Sequence, residues 1–162
     1  MPFSIALADP ADLPRVGEVT VAAYADFTTG PDDPYLARLR DATDRAARAE
    51  LWVARDGDTV LGSVTSCPLG SPWREIARDD EGEFRMLAVH PDARGRGVGR
   101  ALVDHVEDRW RAVGTRCMVI SSLPQMGVAH ALYATLGYRP APTRDWSPAA
   151  GVDLLAFTKE LG

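Results

Sequence analysis

The stretch Glu83-Phe84-Arg85-Met86-Leu87-Ala88-Val89-His90-Pro91-Asp92-Ala93-Arg94-Gly95-Arg96-Gly97-Val98-Gly99-Arg100 decides how this chain folds. Its first part, Glu83 to Val89, is β-prone, and His90-Pro91 stops it because the residue before a proline is pushed out of helical geometry. From Gly99 onward Leu102, Val103, Val106 and Trp110 recur at helical spacing, so a helix starts at the glycines and ends near Gly114. A strand therefore passes through a glycine-rich loop directly into a helix. Such a loop lets backbone N–H groups approach an anion, and the helix N-terminus adds about half a positive charge aimed at it. Arg94, Arg96 and Arg100 add guanidinium forks suited to phosphate oxygens. A solvated glycine turn with incidental arginines is the other reading of this stretch taken alone.

Two phosphate-binding patterns are excluded by spacing. A P-loop ends in Gly-Lys-Ser/Thr, whereas Gly99 is followed by Arg100 and Ala101. The dinucleotide fingerprint needs a glycine at the sixth position of the run that begins at Gly95, where Arg100 stands instead.

Working outward, Phe3, Ile5 and Leu7 alternate with small or polar residues as in a strand, which Asp9-Pro10 ends. A first helix follows, capped by Asp9 or Asp12 and running to Tyr24; a second is expected from Tyr35 to about Ala49. Leu51–Ala54 and Val60–Thr65 flank Asp56-Gly57-Asp58, a hairpin signal. Residues 68–82 form a long polar connection. After the central helix, Cys117–Ile120 reads as a buried strand, Val128 to Leu136 as a helix closed by Gly137, residues 139–151 as loop, and Val152–Lys159 as a last strand. The pattern is a mixed α/β fold with one central sheet flanked by helices, in a single domain over residues 1–162.

Bulk properties agree with that size. The 162 residues suit one domain, 46% hydrophobic and 25% charged residues suit a packed core, and surface scaling buries roughly two-thirds of the unfolded area. A formal net charge of −5 disfavours nucleic-acid binding by overall charge. Cys67 and Cys117 belong to no metal-binding or disulfide pattern and are expected to be buried; no metal site is expected. The start of the chain has no basic and apolar leader, and no run of about 18 apolar residues occurs, so a cytoplasmic protein with no membrane association is expected.

Arg94-x-x-Gly97-x-Gly99 matches the Arg/Gln-x-x-Gly-x-Gly/Ala signature of the GNAT family of N-acetyltransferases. Met86-Leu87-Ala88-Val89-His90-Pro91-Asp92 before it and Ala131-Leu132-Tyr133-Ala134-Thr135-Leu136-Gly137-Tyr138 after it also resemble family segments in the family's order. The resemblance covers nearly the whole chain and is strongest over residues 83–138. It implies a central mixed, mostly antiparallel sheet splayed at one strand. It implies that Arg94, Gly95, Arg96, Gly97, Val98, Gly99 and Arg100 hold the pyrophosphate of acetyl-coenzyme A. The backbone of Leu87, Ala88 and Val89 would pair with the pantetheine arm like an added strand. The implied reaction is direct attack of an amine on the acetyl thioester, with no metal and no covalent intermediate. A noncatalytic acyl-coenzyme A-binding module on the same fold is the competing reading.

Tyr133 matches the family's usual proton donor to the coenzyme A thiolate. Glu83 falls where some members, histone acetyltransferases among them, carry a general-base glutamate; on a strand Glu83, Arg85, Leu87 and Val89 share a side, which is expected to turn the carboxylate to the cleft. Among the histidines, His90 lies in a turn, His105 is expected at the surface, and His130, one turn before Tyr133, is the one that could reach the cleft as a base in place of Glu83 or a water. One position departs from the family: Met126, with Gln125 beside it, stands where an asparagine is common. Acceptor recognition would fall to residues 24–35, 68–82 and 139–151, with Tyr24, Phe27, Trp73 and Trp146 as aromatic walls and Asp26, Asp32, Asp33 and Asp145 attracting a cation. The expected acceptor is a small-molecule or peptide amine. Dimers are common in the family, and nothing in the sequence identifies an interface.

Overall fold

A computed structural model describes residues 2–162. The alternating N-terminal segment forms β1 (Ser4–Leu7), and α1 (Leu13–Tyr24) follows a short turn in which the Asp12 carboxylate accepts the Asp9 N–H at 2.8 Å. The expected helix over 35–49 is two helices, α2 (Tyr35–Arg40) and α3 (Ala42–Arg48). Asp41 breaks it: its ψ of 63° leaves helical geometry, and its side chain accepts the Asp44 N–H at 3.1 Å, capping α3. Wholly buried Arg45 holds the corner by donating to the Arg38 carbonyl at 2.8 Å and the Leu39 carbonyl at 3.1 Å, both in the last turn of α2.

The hairpin is β2 (Glu50–Asp56) and β3 (Thr59–Ser66), followed after the long connection by β4 (Glu81–Val89), which starts two residues earlier than its apolar part indicates. Then come α4 (Val98–Ala112), β5 (Cys117–Ser122) and α5 (Gly127–Thr135). The 139–151 segment, expected to be loop, holds β6 (Arg139–Pro140) and β7 (Trp146–Ala149), because β8 (Val152–Glu160) is long enough to pair with both. The sheet order is β1-β2-β3-β4-β5-β8-β6, with β7 also on β8. All pairings are antiparallel except β4 with β5, giving the mixed, mostly antiparallel sheet flanked by helices.

That one parallel pairing is short. It consists of Glu81 with Cys117, Gly82 with Met118 and Glu83 with Val119. Beyond it β4 stays on β3 while β5 stays on β8 as far as Ser122, so the sheet opens into a fork. Within the fork β4 carries a bulge. Thr65 and Ser63, two steps apart on β3, oppose Arg85 and Ala88, three steps apart on β4, and Met86 takes a φ of 52°. The extra residue inverts the alternation. Glu83, Arg85 and Ala88 face the α1 side, whereas Leu87 and Val89 face α4, correcting the expectation that Glu83, Arg85, Leu87 and Val89 share a side.

Two cores follow from the two faces. Trp52, Leu61, Val64, Phe84, Val98, Leu102, Val106, Ile120, Tyr133 and Phe157 pack between the sheet, α4 and α5. On the other side Val16, Val19, Leu51 and Val53 pack under α1, and Leu36, Leu39, Cys67, Trp73 and Met86 under α2. Cys67 is buried as expected, but Cys117 is only half-buried, since it opens β5 at the sheet's end. No helix among the described residues is long and apolar enough to cross a membrane.

Gly62 lets β3 approach both β4 and the first turn of α4. A Cβ there would lie 2.6 Å from the Ala88 carbonyl oxygen and 3.1 Å from Val98. Backbone cannot yield as a side chain can, so Gly62→Ala should lower unfolding free energy by roughly 1–3 kcal/mol in urea denaturation; an unchanged midpoint would contradict this packing.

Candidate active site

The 90–100 loop is built by local bonds. His90 Nδ1 accepts the Asp92 N–H at 3.1 Å, buried Ala93 pins the turn, and Gly95 and Gly97 take φ values of 81° and 79° that favour glycine. Gly97 is the N-cap residue of α4, one residue before the helix rather than inside it, and its carbonyl accepts the Ala101 N–H at 3.0 Å. The N–H groups of Val98, Gly99 and Arg100 therefore point out of the helix end. Arg94 and Arg100 are exposed, while Arg96 bonds Asp56 at the β2–β3 turn at 3.1 Å. Gly99 lets the helix end sit close to the fork: a Cβ would lie 3.3 Å from Leu132 on α5 and 3.6 Å from Val89.

The open edge of β4 leads away from this loop. The His90 N–H bonds the Leu61 carbonyl at 2.8 Å on the β3 side, so alternate residues turn their main chain the other way, into the fork. The Leu87 carbonyl faces there and accepts the Tyr24 hydroxyl at 3.2 Å. Tyr24, from the end of α1, was expected only as an aromatic wall; its link to the strand edge is visible only once the bulge is known.

Tyr133 approaches from α5. Its ring is 6% exposed and lies between Phe84, Tyr138 and Phe157, with centroids 6.1, 5.8 and 6.1 Å away. The hydroxyl makes no hydrogen bond among the described residues, and burial raises its pKa far above the ordinary phenol value, so it keeps its proton.

Glu83 is wholly buried on the α1 side. Its carboxylate accepts the N–H groups of Glu75 at 2.8 Å, Ile76 at 3.3 Å and Ala77 at 3.3 Å, so it organises the 68–80 connection. Burial raises its pKa, and those three bonds oppose the rise. Glu75, presented by that turn, pairs with Arg85 at 2.9 Å.

The remaining candidates lie elsewhere. His130 Nε2 is 3.1 Å from the Ser122 hydroxyl, and its ring borders a cleft of about 410 Å³ with Tyr138, Pro142, Asp145 and Phe157; neither β4 nor the 90–100 loop contributes to that cleft. Met126 lies 3.7 Å from the Ser122 hydroxyl. His105, expected at the surface, is half-buried with its ring 4.3 Å from Trp52. The acidic residues expected to attract a cation are partly engaged by their own loops. Asp33 accepts the Thr29 and Tyr35 N–H groups, both at 2.9 Å, which lowers its pKa, and Asp145 accepts the Ala156 N–H at 2.8 Å. Trp73 is a buried anchor whose indole N–H bonds Asp44 at 2.8 Å, and the Trp146 indole bonds Ser121 at 3.0 Å.

The acetyltransferase (GNAT) domain family matches residues 47–140, more than half of the chain, and the chain belongs to the GNAT acetyltransferase family. Mycothiol acetyltransferase of Beutenbergia cavernae is 36% identical over 104 residues, covering 64% of this chain and 33% of that protein. Its counterpart in Cellulomonas flavigena is 31% identical over 153 residues, covering 77% and 40%. The chain thus spans about a third to two-fifths of the length of these curated relatives. Among solved structures, the PaiA N-acetyltransferase of Thermoplasma acidophilum in complex with coenzyme A shares the fold at a TM-score of 0.78, with 16% identity and 99% of each chain covered.

Because Glu83 has its folded pKa raised, its contribution to stability is full below the ordinary value of 4.5 and is lost as pH rises through the raised value. The stability advantage of the native chain over Glu83→Gln should therefore be largest in acid and shrink as pH rises from about 4.5, measured by urea denaturation across pH. An advantage that grows with pH would refute the dominance of burial.

Proposed function

We propose that this chain is an acetyl-coenzyme A-dependent N-acetyltransferase that transfers acetyl to an amine by direct attack. The observation that carries this reading is the juxtaposition of a left-handed glycine loop at a helix N-terminus with the open, bulged edge of β4. The residues present fit coenzyme A. The Val98, Gly99 and Arg100 amides suit its pyrophosphate, with Arg94 and Arg100 beside them, and the Leu87–Val89 main chain suits the amides of its pantetheine arm. When bound, acetyl-coenzyme A supplies an activated acetyl group and a thiolate leaving group.

The chain's own part is positioning and proton control. The fork orients the thioester between β4 and β5, excluding water on the side packed by Phe84 and Phe157. Tyr133, which burial keeps protonated and whose hydroxyl has no hydrogen-bond partner among the described residues, is our candidate acid for the departing sulfur. Glu83 faces the α1 side, from which an amine would approach. Its three amide bonds make it a candidate base acting through a water rather than by contact. The names of the curated relatives support a small-molecule acceptor.

Acetyl-coenzyme A should raise the thermal midpoint, whereas ATP and NAD should not; nucleotides stabilising better would overturn the reading. In an amine screen that follows release of coenzyme A thiol, Tyr133→Phe should lower turnover by about 10²-fold or more with acetyl-coenzyme A affinity retained. Unchanged turnover would remove Tyr133 as the acid.

A further inference from the structure

The α1 side of β4 carries a cluster of charge that neither the signature loop nor the proton chemistry uses. Three guanidinium groups surround the ring of buried Trp73: Arg38 from α2 at 4.5 Å, Arg85 from β4 at 5.5 Å and Arg45 from α3 at 5.9 Å. Only Arg85 has a carboxylate within ion-pair distance among the described residues, Glu75 at 2.9 Å. Arg38 and Arg45 form no ion pair there, although Arg45 is wholly buried and burial lowers its pKa to about 10. The negative groups nearby are Glu75 and Glu83, both with pKa values raised by burial, together with Asp41 near Arg45 and Asp44, which serves the Trp73 indole and Arg48. Two polar atoms on this face, Arg45 Nε and the Thr65 hydroxyl opposite Arg85, are buried without a hydrogen-bond partner among the described residues. Polar atoms buried without a partner are costly in an interior and indicate a missing one.

The position gives that partner a role. Arg85 lies immediately before the bulge, and Tyr24, whose hydroxyl bonds the Leu87 carbonyl at the fork, feels the fields of both Arg85 and Arg45. We propose that this face is an acceptor-recognition subsite for a carboxylate, and that the amine acetylated here carries a carboxylate close to its nitrogen, as an α-amino acid does. This rests on the acetyltransferase reading above. Arg38 and Arg85 take the carboxylate, guanidinium to carboxylate, while Glu75 and Glu83 lie on the side of the amine. The Glu75–Arg85 pair is the internal counterpart of such a zwitterion. Glu75, already paired with Arg85, would oppose a phosphate dianion more strongly than a singly charged carboxylate.

The test is calorimetric binding to the protein–coenzyme A complex, with L-methionine, L-methioninamide and O-phosphoethanolamine as probes, and thiol release with acetyl-coenzyme A as a second readout. The carboxylate should bind at least about tenfold more tightly than the amide, the factor expected for a charge-assisted pair. Arg85→Gln should erase this ratio. Arg38→Gln, on the exposed side where folding is not at stake, should narrow it, and Arg38→Lys should keep part of it. Equal affinities, preference for the amide or for the phosphate, no binding of L-methionine at millimolar concentration, or a ratio untouched by Arg38→Gln would overturn the proposal. Coenzyme A titrated alone separates the two readings: its failure to bind removes both, whereas its binding with any of those outcomes removes only the carboxylate subsite.

Discussion

The whole arrangement depends on β4 belonging to two sheets at once while changing sides between them. Three residue pairs hold it to β5, and then the positive φ of Met86 rotates the chain so that Leu87 and Val89 turn toward α4. For a residue with a side chain that conformation costs on the order of 1–3 kcal/mol and persists only where packing over-determines it. Here Met86 is 6% exposed among Leu36, Leu39 and Trp73, so the α2 side of the core holds the bulge in place. The fork opens where the ladder to β5 ends at Glu83, and the turn at Met86 then sets Leu87 and Val89 toward α4, where Val89 lies close to Gly99.

Irregular segments in this molecule are ordered by buried charges as well as by apolar anchors such as Trp73. Glu83 gathers the amides of the 75–77 turn, and Arg45 closes the end of α2. Glu107, 1% exposed on α4, receives the Tyr138 hydroxyl and the Lys159 ammonium, each at 2.8 Å, tying the exit of α5 to β8. Glu81 and Arg144, paired at 2.8 Å, join the start of β4 to the segment between β6 and β7. Each bond satisfies a group that burial would otherwise penalise, and each fixes a connection that has few apolar residues of its own.

Much of the fold was legible because its signals are local. Periodicity located α1, α4 and α5, glycines marked the hairpin and the signature loop, and His90-Pro91 ended β4. The misreadings share a cause. The break at Asp41 depends on a cap competing with a helix that Ala and Arg would otherwise continue, and the short strands β6 and β7 exist only because β8 is there to pair with them. The inversion at Met86 leaves no mark in a pattern of two-residue alternation, so that pattern puts Glu83 and Leu87 on one face as in a regular strand. The signature loop could be read from the sequence, since its glycines and arginines are contiguous. The arginine cluster around Trp73 could not, because Arg38, Arg45 and Arg85 meet only through tertiary packing.

The shortness of the β4–β5 ladder has a mechanical meaning. Two half-sheets, β1 to β4 and β5 with β8 and β6, are joined by three rungs at one end, with α4 and α5 bracing one face. A thin hinge of this kind transmits little shear by itself. An extended chain lying in the gap and bonded to the strand on either side would act as a splint, so that occupancy of the gap and rigidity of the sheet become one thermodynamic quantity.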